Sequence, residues 1–321
     1  MSSSPARRSV IGFGLVAYAA VSWGFWPYFL RNAESHGGLD PAVESTIAMT
    51  MCIVVSAFLV RTDRVRVRAS TGAWLGIVWL AIGDALNILF FFRAYQITTV
   101  AIAVLSHYLT PIFIAIAAPI VLREPADRRT SAAVFISFAG LVLLLEPWQS
   151  HASPSLALGA MFGAASAIFY ASNVLVTKRL VPVFSGSEMT FFHALLAAPL
   201  LALMAPHGAW HAVDSRALRW LIAGSLVSGA IPGLMFVWGL RSIAASHAST
   251  LTLLEPLVAV LVVGVLIFGE RLSGFGIAGG ALILAGAALV LSRPKKVAQS
   301  SNMPSRGNTA ISTTPIQIIE K

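Results

Sequence analysis

Two carboxylic acids stand inside long apolar stretches, Asp84 near the middle of the run 72–92 and Glu255 beside Pro256 in the run 246–268. An ionised carboxylate in hydrocarbon costs about 2.5 to 3.5 kcal/mol, so each must face other protein, find a partner or hold a proton. Asn87, one helical turn beyond Asp84, is placed to donate to it. For each acid two readings stand side by side: a neutral group tied into helix packing, or a site that binds an amine or exchanges a proton.

The same runs carry other groups with possible roles. His107, next to Tyr108 and one turn before Pro111, could relay a proton near neutral pH or hydrogen-bond between helices. Pro111 and Pro256 each remove a helical donor, which leaves the carbonyls of His107 and Thr252 in need of another partner. Matched interruptions of this kind point to a cavity, and Pro232, flanked by Gly229 and Gly233, adds a third. Trp23, Trp26, Tyr170 and Asn173, with Trp238 in a later run, are candidates to wall a pocket, the tryptophans being equally suited to an interfacial belt. On a helix His207, His211 and Asp214 would share one face, the arrangement of a metal site. Pro206 and Gly208 argue against a helix there, so no metal site is expected. Cys52 is the single cysteine and has no partner in the chain. No cofactor motif is present, and neither a His-Glu-x-x-His nor a Gly-x-Ser-x-Gly pattern supports an enzyme.

The elements that would position these residues follow from composition. With 57% hydrophobic and 11% charged residues, the 321-residue chain falls far from soluble proteins, about a quarter of whose residues are charged. A bilayer core needs about 20 apolar residues per helix. Ten runs qualify: 10–30, 43–60, 72–92, 98–121, 130–146, 155–177, 188–205, 217–239, 246–268 and 273–291. The first continues through Trp23, Trp26 and Tyr28, too long for a cleaved signal core. If both termini lie on one side, 17 of the 22 Lys and Arg share it, and only Arg31, Arg93, Arg216, Arg219 and Arg271 lie opposite. That predicts cytoplasmic termini in an inner (plasma) membrane. The net charge of +9 therefore orients the chain in lipid, and nucleic acid is not an expected partner.

The chain also contains one stretch twice. Phe91–Leu145 laid on Phe236–Leu291 places Ala103 on Ala248, Pro111 on Pro256, Glu124 on Glu270 and Gly140 on Gly286. Trp23-Gly24-Phe25-Trp26 likewise lies over Tyr170-Ala171-Ser172-Asn173. Five spans per copy is an odd number, so the second copy must enter the membrane from the opposite face. The expected fold class is an all-α membrane protein of ten transmembrane helices in two inverted five-helix repeats, residues 10–147 and 155–292. A cytoplasmic segment 1–9 precedes them and a disordered tail 293–321 follows. Such a plan predicts two-sided access to a midplane site for a small-molecule substrate. Glycines four apart, such as Gly276 and Gly280, predict close helix contacts within a monomer or across a homodimer.

These paired stretches, Leu109-Thr110-Pro111 and Leu254-Glu255-Pro256, each followed by a glutamate and a glycine-rich last helix, resemble the EamA domain of the drug/metabolite transporter superfamily. Residues 22–29, Ser-Trp-Gly-Phe-Trp-Pro-Tyr-Phe, are similar to the first span of RarD-like members. The resemblance covers about residues 10–292. It implies a secondary transporter, an exporter or exchanger of small metabolites with proton or counter-solute coupling. Asp84 and Glu255 depart from the commonest pattern, and the substrate is not carried over. An intramembrane enzyme or a non-transporting binding protein is the alternative.

Overall fold

The computed structural model describes residues 5–33, 39–60, 62, 69–125, 127–149 and 154–292. Arg61, Arg64, Arg66 and Arg68 and the tail 293–321 fall outside them. Among the described residues, ten helices are long and apolar enough to cross a membrane: α1 Arg7–Ala33, α2 Pro41–Leu59, α3 Thr71–Ile97, α4 Val100–Val121, α5 Arg128–Gln149, α6 Ser155–Leu180, α7 Gly186–Met204, α8 Ser215–Leu240, α9 Ala245–Ile267 and α10 Gly274–Leu291. No strand occurs among the described residues.

Helix starts are written into the short connections as side-chain caps. Asp40 accepts from Ala42 N–H ahead of Pro41, Ser70 from Ala73, Asp127 from Arg129, Asp214 from Ala217 and Ser273 from Gly276. Ser185 and Glu188 close a reciprocal capping box at α7. Each cap satisfies an N–H that the first turn of a helix leaves without a partner. The largest departure from the expected ends is in α3, which continues past 92 through Arg93, Tyr95 and Gln96 to Ile97. Thr99 then caps the next helix, so a single extended turn replaces a loop.

The ten helices pair in a pattern that survives exchange of the two copies. α3 packs on α6 as α8 packs on α1, and α4 on α6 as α9 on α1, while α2–α7, α4–α9 and α5–α10 map onto themselves. Individual contacts repeat too. A methyl group on Gly140 would stand 2.6 Å from the carbonyl oxygen of Gly279, and one on Gly286 2.8 Å from that of Ala133. The step from 140 to 286 is also the step from 133 to 279, so one contact is the other with its partners exchanged. Gly12 lies against Ile243 as Gly159 lies against Thr98. Two five-span copies related in this way run in opposite directions across the membrane. The α10 glycines used in the α5–α10 seam are Gly279 and Gly286; Gly276 instead faces Leu272 and Gly280 faces Leu257, both of their own copy. The contact is made inside the chain because α5 offers Gly140, Ser137 and Ala133 as a facing groove.

Four spans are interrupted near their middles. α1 turns at Gly24 and Phe25, α4 at Tyr108 and Leu109, and α9 at Thr252 and Leu253. α8 passes through a wide turn at Leu226–Ala230 in which Ser228 leaves helical geometry (φ −116°, ψ 15°). Pro111 and Pro232 stand at the second position of the segment that resumes and Pro256 at the third, all within the first turn. In the first turn the N–H has no intrahelical partner, so a proline there costs no hydrogen bond. The carbonyls expected to be orphaned have found donors: Thr110 Oγ1 reaches His107 O at 2.7 Å, and Glu255 N–H reaches Thr252 O at 3.0 Å.

Candidate functional site

At the middle of the bundle the first polar cluster is built from three helices. Asp84 is the central residue of the 27 in α3. Its Oδ1 accepts from Asn173 Nδ2 on α6 at 2.8 Å, and its Oδ2 stands 2.7 Å from His193 Nε2 on α7. That approach lies off the line a hydrogen bond needs. Asn173 also donates to the Leu80 carbonyl at 3.3 Å. The amide can come so close because Gly83 has no side chain: a methyl there would sit 2.2 Å from Asn173 Oδ1. Asp84 is thus matched by groups from the second copy, the Asn173 amide as donor and the His193 imidazole in close contact, and the donor expected from its own helix is not used. Asn87 keeps its Oδ1 buried without a hydrogen-bond partner among the described residues.

The cluster forms one corner of a cavity of about 270 Å³ whose remaining walls are mainly apolar. Trp23 and Phe236, with ring centres 5.3 Å apart, close one side, and Tyr170, Met49, Cys52 and Met189 are among the residues that line the others. Gly229 and Gly233, on either side of Pro232, open the wall of α8; a methyl on Gly233 would meet nothing within 4 Å. Both copies line the space, α1, α2 and α3 from the first and α6, α7 and α8 from the second. A carboxylate beside an imidazole and an amide, in an apolar pocket, suits a solute with one polar or cationic end and an apolar body.

A second polar group lies behind Tyr170. His107 stacks on the Tyr170 ring (5.5 Å, 15°), and its Nδ1 is 2.8 Å from Ser166 Oγ. Tyr108, next in the chain, lies beside the Glu255 carboxyl. The interruption of α1 closes over this place: Gly24 brings the Glu255 carbonyl within 2.7 Å of where its methyl would be. Tyr170 therefore stands between the two intramembrane acids.

The candidates from sequence divide accordingly. Trp23, Asp84, Tyr170 and Asn173 line the cavity, and His107, Tyr108 and Glu255 form the adjoining group. Pro111, Pro232 and Pro256 shape the interruptions and are buried. Trp26 is elsewhere, packed against Gly224 of α8, and Trp238 covers Gly186 at the start of α7. Both tryptophans fill glycine gaps between helices, which sequence spacing does not reveal. Asp214 is spent on the cap of α8. The residue that sequence reading passed over is His193. Its signal was present, because an imidazole in an otherwise apolar span needs a polar partner.

Fold and cavity together define a polytopic membrane protein with a mainly apolar central cavity, polar at one corner, between two related halves. The model of the EamA-like transporter family matches residues 10–146 and again 157–292, and the chain belongs to that family. A transporter of Archaeoglobus fulgidus, itself uncharacterized, is 30% identical over 214 residues, 65% of this chain and 74% of the relative. One of Clostridium kluyveri is 21% identical over 296 residues, 89% of this chain and 94% of the relative. A protein of Vibrio cholerae named a riboflavin transporter is 28% identical over 122 residues, 38% of this chain and 39% of the relative. A solved crystal structure shares the fold, with a TM-score of 0.74 at 21% identity, covering 90% of this chain and 99% of its own.

Proposed function

We propose that this chain is a secondary exporter that moves a small metabolite, an amino acid, drug or related solute, across the plasma (inner) membrane by alternating access between its inverted halves. Both termini lie in the cytoplasm in this reading. The observation that carries it is the contact of Asp84 with Asn173 and His193: one acid from the first copy, held at mid-depth by two groups of the second, at the corner of a cavity that both copies line. Any movement of one half against the other changes the surroundings of that acid.

In this mechanism Asp84 binds a substrate amine or, when the amine is gone, a proton, and His193 and Asn173 compensate it in between. Glu255 with Tyr108 is the second group able to exchange a proton, and the breaks at Pro111 and Pro256 are the points about which α4 and α9 bend. The test is solute flux in proteoliposomes loaded with a panel of amino acids, cationic drugs and riboflavin. Asp84→Asn is expected to reduce uptake of the transported solute at least about tenfold. Unchanged rate, affinity and pH dependence would remove Asp84 from the mechanism.

A further inference from the structure

The repeat that relates the helices also relates two ion pairs at opposite ends of the bundle. Glu124 follows α4 and Glu270 follows α9, and each comes directly after a residue in the left-handed region, Arg123 (φ 56°) and Gly269 (φ 72°). The Glu124 N–H bonds back to the Ala118 carbonyl and the Glu270 N–H to that of Gly264, at equivalent positions. The partners correspond too: Lys178 lies near the end of α6 and Arg31 near the end of α1. The step from 31 to 178 equals that from Trp23 to Tyr170. Lys178 Nζ lies 4.0 Å from Glu124 Oε1, and Arg31 Nη1 lies 3.3 Å from Glu270 Oε1.

The two pairs hold very different things. Glu124 and Lys178 are only 15% and 19% exposed. Lys178 also donates to the carbonyls of Leu240 and Ile243, both at 2.6 Å, and Glu124 accepts from Ala245 N–H at 2.9 Å. This pair thus clamps the link between α8 and α9 onto α4 and α6. Its counterpart is 58% and 59% exposed, and Arg31 is otherwise set over the Phe268 ring, 4.0 Å from its centre. Among the described residues, Arg31 takes no carbonyl of the link between α3 and α4. In that link Tyr95, Thr98 and Val100 are the equivalents of Leu240, Ile243 and Ala245. A half-buried pair braced by backbone bonds holds its elements, whereas a solvated pair holds little.

We propose that these pairs are the two gate latches of the transporter and that they exchange arrangements during the cycle. In the state described here the latch at the face bearing the N-terminus is engaged and the latch at the far face is slack. In the opposite state Arg31 would take the Tyr95 and Thr98 carbonyls and Glu270 the Val100 N–H, while Lys178 and Glu124 separate into solvent. The repeat makes the two ends geometrically equivalent, so whatever arrangement one end reaches is open to the other. This inference rests on the alternating-access reading above and adds which residues hold each door.

The native cysteine gives the readout, since Cys52 lines the cavity and is the only cysteine in the chain. Full-length protein in vesicles of one orientation is treated with a membrane-impermeant maleimide from one face or the other, and the ratio of initial labelling rates at Cys52 is measured. Lys178→Met is expected to raise labelling from the N-terminal face relative to the far face by about fivefold or more. Arg31→Met should shift the same ratio the opposite way. A folded Lys178→Met or Arg31→Met protein with an unchanged ratio overturns the proposal, as do shifts of both variants in one direction. Should Lys178→Met fail to fold, Arg31→Met and Glu270→Gln decide the matter, because both sites are solvated and tolerant. Solute flux separates the two readings. Opposite labelling shifts in a protein that carries no solute would end the transport reading and keep the latches, whereas transport with fixed labelling would end the latches alone.

Discussion

The two halves of this molecule agree where they pack and differ where they are polar. Gly140 and Gly286, and Gly12 and Gly159, occupy equivalent places and make equivalent contacts, and the main chain bonds back in the same way at Glu124 and Glu270. The cavity corner shows no such match. Asp84 corresponds to Gly229, Asn173 to Trp26, and Glu255 to Thr110, so each of these groups has an apolar or a different neutral residue at the equivalent position of the other copy. In the proposed cycle, symmetric packing is what would let either half adopt the posture of its mate, and the single asymmetric seat is where one solute would bind in one orientation. The motion belongs to the repeat and the chemistry to its exceptions.

The sharpest way to break the symmetric part is at the α5–α10 seam. Gly140→Leu would drive a branched side chain into the backbone of Gly279 and Ile283, both under 3 Å from its first carbon. Overpacking of that kind costs about 1 to 3 kcal/mol and often more where the obstacle is backbone. The expected result is loss of monodisperse protein in detergent. Gly14→Leu, with nothing within 4 Å, should leave yield and melting temperature unchanged. Gly286→Leu should fail as Gly140→Leu does; a tolerant Gly286 would show that the two contacts are not equivalent.

Next in size are changes to the asymmetric seat. Asp84→Asn should cost at least about tenfold in flux, as set out above, with little effect on folding, because the amide can still accept from Asn173. His193→Ala is expected to raise the apparent KM for a cationic solute less than Asp84→Asn does, since the carboxylate remains. Glu255→Gln should flatten the pH dependence of transport while leaving binding of the solute to the Asp84 corner in place. Equal loss of binding in both acid variants would merge the two polar groups into one site.

The architecture was open to sequence reading because the bilayer simplifies the problem. A span must be apolar for about 20 residues, and a duplicated gene repeats its prolines and glutamates. Ten spans and their copy-to-copy correspondence therefore follow from the runs and from pairs such as Pro111 and Pro256. The site was only partly open. Asp84 and Asn173 stood out as costly groups in hydrocarbon, but that they meet depends on Gly83 making room, and Gly83 looks like any other small residue of a helix. Asn87 sat at the right spacing and yet does not serve Asp84, because partners on neighbouring helices outcompete one on the same helix. Trp26 and Trp238 were drawn in by their type, and their use, filling the gaps at Gly224 and Gly186, depends on helix faces that periodicity could not rank in spans apolar all round.

The smallest expected effect concerns how each half repairs the same break. In α4 the His107 carbonyl is taken by the Thr110 hydroxyl at 2.7 Å, with the Ala167 carbonyl as a second acceptor at 3.3 Å. In α9 the equivalent Thr252 carbonyl is taken by a main-chain N–H, that of Glu255. A side-chain repair can be removed by substitution and a backbone repair cannot. Thr110→Val keeps the shape and deletes the donor, leaving a buried carbonyl without that hydrogen bond at a cost of about 1 kcal/mol. Glu255→Gln, at the matching position, leaves its N–H in place and should not lower stability by this route. Thermal unfolding of both variants in the same detergent checks the difference. A Thr110→Val protein as stable as the parent would mean that the α4 break relaxes to find another donor, and that the first half is softer at its hinge than the second.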